Sequence, residues 1–466
     1  MLSSLTGRSA VEAGFFRRVL GIAVPVTLQA MLQSSFSIVD QIMIGQLGST
    51  AIAGAGLAGK FISIYSVIVS AVGTVAGIMI AQYLGREDRA EVRRSFFLNI
   101  TAAAAVAALF LVVSLVMPER ILGLYIRDKA VIAEGAVYLR LIAWTYLPAA
   151  GTTLTAALLR CLDRASYPLY AGFGAAILNT LLNYLLIFGK AGLPPLGIRG
   201  AALATLLSQL AGFVILLGLM LIRLPRCRAL LNGRDPASGE ALRTARAGRA
   251  YYLAYLMMLM PILANEFLWS LGENVYAVIY GRLGTDASTA MTLTNPIQGL
   301  MIGALCGLSQ AAGVIIGRRL GAGEKDKAYR ESRQLLICGL SGAVLLSCVV
   351  ILISVFYVRL FRVGDPVRLL TTQILTAYAM VLPFKVLNMI LGGGILRSGG
   401  QTAVVMVIDI IGTWLFGVPL GLLGAFVLQL PVPAIYFLLS LEEAVRFLIS
   451  VIIFRRRRWM TTLKTA

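Results

Sequence analysis

Two stretches of the chain, 236 positions apart, are copies of one another. Pro25 matches Pro261, Gly45 matches Gly281, and Leu47-Gly48 matches Leu283-Gly284. At the same offset Ala51 matches Ala287, Ala76-Gly77 matches Ala312-Gly313, Leu84-Gly85 matches Leu320-Gly321, and Arg94 matches Arg330. No gap is needed, and both copies are strongly apolar, so whatever the first folds into, the second folds into as well. Two similar apolar halves are a frequent ground plan of membrane transporters, whose repeats hold a site between them.

The hydropathy places those halves in a bilayer. Of 466 residues, 59% are hydrophobic and 13% charged, whereas a soluble domain carries about 25% charged residues. About twelve apolar runs recur, near 18–44, 53–83, 95–116, 131–158, 167–189, 199–223, 252–281, 288–317, 333–357, 368–395, 402–427 and 432–454. Each is close to or above the roughly 20 residues a spanning helix needs. Met1 to Phe16 is polar and mixed, and the first apolar run is too long for a signal peptide. An even number of spans puts both termini on one side.

The net charge of +20 follows the positive-inside pattern. One set of loops and ends holds Arg17-Arg18, Arg86, Arg89, Arg93-Arg94, Arg160, Arg164, Arg226, Arg228, Arg243, Arg246, Arg249, Arg318-Arg319, Lys325, Lys327, Arg330, Arg333 and the run Arg455 to Arg458. The opposite set holds far fewer: Arg120, Arg127, Lys129, Lys190, Arg199, Arg282, Arg359, Arg362 and Arg368. The expectation is a multi-pass protein of the plasma (inner) membrane with both termini cytoplasmic. Its basic loops would face anionic lipid, and nucleic acid is not an expected partner.

Catalysis finds no purchase. Histidine is absent, and Cys161, Cys227, Cys306, Cys338 and Cys348 show no paired spacing. There is no phosphate-cradling GxxxxGK[ST] loop, no metal-ligand cluster and no nucleophile–base–acid set. The chain is expected not to be an enzyme and to need no cofactor, so its energy must come from an ion gradient and any proton coupling must run on carboxylates.

Arg223 to Arg249 is the only long polar stretch and contains Pro225, Gly233, Asp235-Pro236 and Gly239. It reads as a cytoplasmic linker, 224–249, between an N-terminal lobe, 1–223, and a C-terminal lobe, 250–466. The fold class that follows is an all-α integral membrane protein. About twelve transmembrane helices form two six-helix lobes related by a pseudo-two-fold along the membrane normal.

The polar residues inside the runs carry the function, since a charge there costs roughly 2.5–3.5 kcal/mol on insertion scales. Gln29, Gln33, Ser37 and Asp40 are spaced by 4, 4 and 3, which puts them on one helix face. Such a stripe faces a wet cavity or forms a ladder to another polar helix. Asp40, a carboxylate held partly out of water, is a candidate reversible proton site. At the repeat offset Asp40 pairs with Tyr276, so the second half lacks this acid. Span seven offers instead Glu266, Ser270 and Glu273 on one face, either neutralising a cationic substrate or pairing with Lys385 of span ten. Lys60 in span two either snorkels out or points inward. Asp409 in span eleven pairs with a base or is a second proton site. Glu442-Glu443 with Arg446 reads as an i,i+3/i+4 ion pair facing another helix.

Taken in order, four segments resemble the multidrug and toxic compound extrusion (MATE) family over nearly the whole chain. They are Ser37-Ile38-Val39-Asp40-Gln41-Ile42-Met43-Ile44-Gly45, the run from Ile177 to Gly189 with Asn179 and Asn183, Leu196-Gly197-Ile198-Arg199-Gly200-Ala201-Ala202, and Gly394-Ile395-Leu396-Arg397-Ser398-Gly399-Gly400-Gln401-Thr402. The resemblance implies an antiporter in which inward H⁺ or Na⁺ drives export of amphipathic, often cationic organic compounds. It assigns cation coupling to Asp40, with partner positions at Asn179, Asn183 and Thr205. Asn183 stands where many members have an aspartate, which removes a two-carboxylate Na⁺ cage. Asp40 with three neutral oxygens could still hold Na⁺. The family's acid in span seven would fall near Trp269, and span ten shows Lys385 and Asn388 where an aspartate is expected.

The expected protein is therefore a secondary antiporter, monomeric, with two lobes rocking about a central cavity. The rival reading is a lipid-linked glycan flippase of the same superfamily, which would show more spans and a strongly cationic cavity.

Overall fold

In hydrocarbon a backbone must satisfy its own hydrogen bonds, which one segment does only as a helix. The apolar runs fold accordingly in the computed structural model, which describes residues 2–192, 194–234, 248–359, 361 and 364–463. Among these residues twelve long helices follow one another. They are α1 Leu2–Gly45, α2 Ser49–Gly85, α3 Arg89–Val116, α4 Lys129–Cys161, α5 Ser166–Phe188 and α6 Ile198–Arg223 in the first half. The second half adds α7 Arg249–Arg282, α8 Thr285–Gly321, α9 Lys325–Arg359, α10 Asp365–Leu396, α11 Thr402–Val427 and α12 Val432–Arg455. Eleven are long and apolar enough to cross a membrane. The twelfth, α12, has 24 residues but is interrupted by Glu442, Glu443 and Arg446. At 1.5 Å per residue it still reaches about 36 Å, enough for a core of about 30 Å. Large apolar side chains such as Leu109, Val112, Leu352 and Phe356 are exposed, as lipid-facing residues should be.

Local chemistry sets the helix ends and breaks. Gly48 and Gly284, matched across the repeat, precede α2 and α8 with φ of 98° and 118°, a region a side chain disfavours. Asp88 caps α3 by accepting from the Glu91 amide at 3.1 Å, satisfying one free N–H of the first turn. In α4 the chain tightens to a 3₁₀ turn at Ala143–Thr145, because Pro148 has no N–H to give the Trp144 carbonyl. α10 widens to a π-helix over Met389–Leu396, and α11 does so over Ile411–Gly417 and again over Leu423–Val427. The i→i+5 spacing of a π-helix often marks functional positions.

The helices fall into two compact units. One comprises residues 28–246, the other residues 1–27 with 247–466. Helix α1 changes unit between Thr27 and Leu28, just after Pro25. On its near side the Thr27 hydroxyl donates to the Ala304 carbonyl of α8 at 3.2 Å. Of the expected linker, Pro225–Leu231 is a short helix. Asp235, Pro236, Gly239, Arg243 and Arg246, with Arg362 farther on, lie outside the described residues.

Candidate functional site

Within residues 28–246 a cavity of about 300 Å³ is lined by the α1 stripe Gln29, Gln33, Ser37 and Asp40, facing Asn179 of α5 and Thr205 of α6. Helices α5 and α6 pack closely because of Gly200. A Cβ there would lie 2.5 Å from the Leu186 carbonyl oxygen, so only glycine admits this approach. That spacing lets the Asn179 amide donate to the Thr205 hydroxyl at 3.4 Å. One turn on, Asn183 is fully buried. Its Nδ2 donates to Asp40 Oδ1 at 2.5 Å and to Asn179 Oδ1 at 3.2 Å. Thr205 ends the chain by donating to the Ala201 carbonyl at 3.0 Å. All four candidate coupling residues thus form one hydrogen-bonded line, in which Asp40 is the only carboxylate. The Asn183 Oδ1 is buried without a hydrogen-bond partner, an unsatisfied acceptor beside that acid.

The other unit has its own cavity, about 230 Å³, between α7, α8, α10 and α12. Glu273 and Tyr276 line it from α7, Lys385 from α10, and Glu442 and Glu443 from α12. Behind it lies a charge cluster centred on Arg446. The guanidinium reaches Glu442 at 3.3 Å, Asp409 at 3.7 Å and Glu443 at 3.8 Å, and also donates to the Thr413 hydroxyl. Lys385 approaches Glu443 at 4.0 Å, and Asn388 donates to the Glu443 carboxylate at 2.8 Å and its carbonyl at 2.7 Å. Asn265 donates to Asp409 at 2.8 Å. Helix α11 makes room by carrying Gly412 and Gly417, five residues apart on one face of its π-helical stretch. A Cβ on Gly412 would stand 2.5 Å from Arg446 Cγ, and one on Gly417 2.5 Å from Glu442 Oε2.

Of the cavity candidates read from sequence, Gln29, Gln33 and Ser37 line the first cavity, and Glu273, Tyr276 and Lys385 the second. Lys60, Glu266, Ser270 and Asp409 line neither. Glu266 turns to Arg397, just past the end of α10, at 3.7 Å, and Asp409 to Arg446 and Asn265. Ser270 serves through its carbonyl, which accepts from Asn274. Lys60 is exposed, and its carbonyl accepts from Ser63 at 2.6 Å. Lys385 finds its partner in Glu443 of α12. The group sequence reasoning undervalued is Glu442, Glu443 and Arg446. Three charges in one span, each costly in lipid, were the available signal that the group needed partners beyond its own helix.

These two polar sites on a duplicated helical bundle define a membrane transporter. The chain belongs to the MatE family, whose pattern matches it twice, over residues 25–185 and 261–423. It is a multi-pass membrane protein and not an enzyme. It is 26% identical over 437 residues to a probable multidrug resistance protein NorM of Mesorhizobium japonicum, covering 90% of this chain and 91% of that protein. To multidrug resistance protein MdtK of Edwardsiella ictaluri it is 26% identical, with 95% of each chain covered. The Vibrio cholerae MATE transporter VcmN, solved in a bent form, shares the fold with a TM-score of 0.84 at 18% identity, covering 96% of this chain and 97% of that one.

Proposed function

We propose that this chain is a secondary active antiporter that exports amphipathic, often cationic organic compounds, its two lobes rocking about a central cavity. The reading joins the multidrug resistance named for its relatives to an acid placed for ion coupling. The observation that carries it is the buried Asn183 amide donating to Asp40, which lines the first cavity. Asp40 is the single carboxylate of its hydrogen-bonded line, so a two-carboxylate Na⁺ cage cannot form there, which favours H⁺ as the coupling ion. Protonation of Asp40 would reorder the Asn183–Asn179–Thr205 line and weaken substrate binding, the proton then leaving on the cytoplasmic side. The protein would work as a monomer in the inner membrane, with both termini cytoplasmic.

A lipid-linked glycan flippase would want a strongly cationic interior. The first cavity has Asp40 and neither Lys nor Arg among its lining residues, and the second sets Lys385 among three glutamates, which supports the drug antiporter. The test is efflux of an organic cation from proteoliposomes under a pH gradient or a Na⁺ gradient imposed separately, with wild type beside Asp40→Asn. Uphill export under the pH gradient that is lost in the mutant is the expected result. Export surviving in Asp40→Asn, or driven by Na⁺ alone, would contradict H⁺ coupling at Asp40.

A further inference from the structure

The second unit has no copy of Asp40. Tyr276 stands at that repeat position, and its hydroxyl donates to Glu442 Oε2 at 2.5 Å. A carboxylate therefore reaches the equivalent place after all, carried in by α12.

The charges facing Glu442 come from every neighbouring helix. Its own helix supplies Glu443 and Arg446, α11 supplies Asp409, α10 supplies Lys385, and α7 supplies Tyr276 and the cavity-lining Glu273, with Tyr280, Tyr378 and Tyr436 around the same cavity. In the cluster proper, three carboxylates share one guanidinium and one ammonium. One negative charge is left over, and Glu442, Glu443 and Arg446 are only 7%, 5% and 7% exposed. An uncompensated buried charge is strongly unfavourable, and one bound proton removes it. Glu443 is best satisfied as an anion, having Lys385, Arg446 and the Asn388 amide. Asp409 has Arg446 and the Asn265 amide, and it does not line the cavity. Among the described residues Glu442 has the shared guanidinium and the Tyr276 hydroxyl as partners, the hydroxyl being able to donate or accept, and it borders the cavity.

We propose that Glu442 is a second proton-carrying group, protonated while this cavity is empty and deprotonated when an organic cation occupies it. The inference rests on the antiporter reading above. On entry of the cation the Glu442 O–H bond breaks, its electron pair stays on the carboxylate, and the proton passes through the cavity to bulk water. The excess negative charge then faces the cation, and the tyrosine rings offer it their faces. Arg446 acts as a tethered counter-ion that holds the count at one proton.

The test uses purified full-length protein in weakly buffered detergent solution, titrated with tetraphenylphosphonium, while released protons are counted with a pH dye. Asp40→Asn removes the first unit's acid. In that background about one proton should still leave per bound cation, and the apparent Kd should tighten up to about tenfold per pH unit below the midpoint. Adding Glu442→Gln should abolish the release and flatten the pH dependence, whereas adding Asp409→Asn, which removes the same excess charge, should move the midpoint of release to lower pH while leaving the titrating group in place. Binding without release in Asp40→Asn overturns the inference alone, and so does unchanged release in the double variant or loss only with Asp409→Asn. No cation binding even in wild type overturns both this inference and the export reading. Should Glu442→Gln fail to fold, Tyr276→Phe decides. Losing the hydroxyl donor should move the midpoint of release to higher pH, and an unmoved midpoint overturns the assignment.

Discussion

Replacing Arg446 by methionine keeps an aliphatic stem but removes the one group that touches Asp409, Glu442 and Glu443 together. Lys385 is then the single cation left, 4.0 Å from Glu443. Breaking a buried ion pair by deleting one partner costs about 3–5 kcal/mol. For a unit of this size each kcal/mol is worth about 2–4 °C, so Arg446→Met should melt about 6–20 °C below wild type. Detergent-solubilised membrane proteins unfold irreversibly, so both proteins must be heated at one scan rate and read by loss of the monodisperse peak. The deficit should shrink at lower pH, where protonation removes the excess negative charge. Adding Glu442→Gln to Arg446→Met should recover part of the loss, because the two groups are coupled and coupled residues deviate from additivity by about 0.5–3 kcal/mol. A melting loss under about 3 °C, or a double variant whose losses simply add, would refute the reading of Arg446 as the hub of the cluster.

Gly417→Ala puts a methyl 2.5 Å from Glu442 Oε2 and against the Tyr276 hydroxyl; it should cost about 1–3 kcal/mol, seen as a lowered melting point, while Asp40 chemistry in the other unit is unaffected. Gly200→Ala should destabilise similarly, since its Cβ meets the Leu186 backbone, whereas exposed Gly56→Ala in α2, with nothing within 4 Å, should stabilise by up to about 0.5–1 kcal/mol. If both alanines behave alike in a thermal-shift series, close helix approach is not what Gly200 is for. Trp459, 1% exposed and donating to the Phe454 carbonyl at 3.1 Å, seats the tail after the chain reverses at Arg457 (φ 56°); Trp459→Ala should cost about 3–5 kcal/mol and make residues after Arg455 sensitive to protease.

The spans, the repeat and the α1 stripe could be read from sequence because periodicity and hydropathy are local properties. Gln29, Gln33, Ser37 and Asp40 share a face whatever packs against it. The partners of Glu266, Lys385 and Asp409 were not legible for the opposite reason. Each lies far away in the chain: Arg397 for Glu266, Glu443 for Lys385, Arg446 for Asp409. Spacing within one helix says nothing about which other helix arrives opposite. Glu442, Glu443 and Arg446 illustrate the point, since i,i+3 and i,i+4 spacing suggested an ion pair facing another helix but could not say that the helix is α11, where the same guanidinium meets Asp409. Tyr276 was legible only as a missing aspartate, because its acid comes from 166 residues away.

The three charges of α12 also bear on how the protein is made. On insertion scales each costs roughly 2.5–3.5 kcal/mol at the centre of a span, so the three charges together would cost α12 about 7.5–10.5 kcal/mol at the translocon. We expect it to enter the bilayer only beside helices that already present Lys385 and Asp409. Both α10 and α11 leave the ribosome first, so the order of synthesis supplies those partners in time. A chain whose second half has misassembled would leave its last helix stranded in water, its arginine-rich end open to quality-control proteases. The cluster would thus admit the final span only into a lobe that is already built.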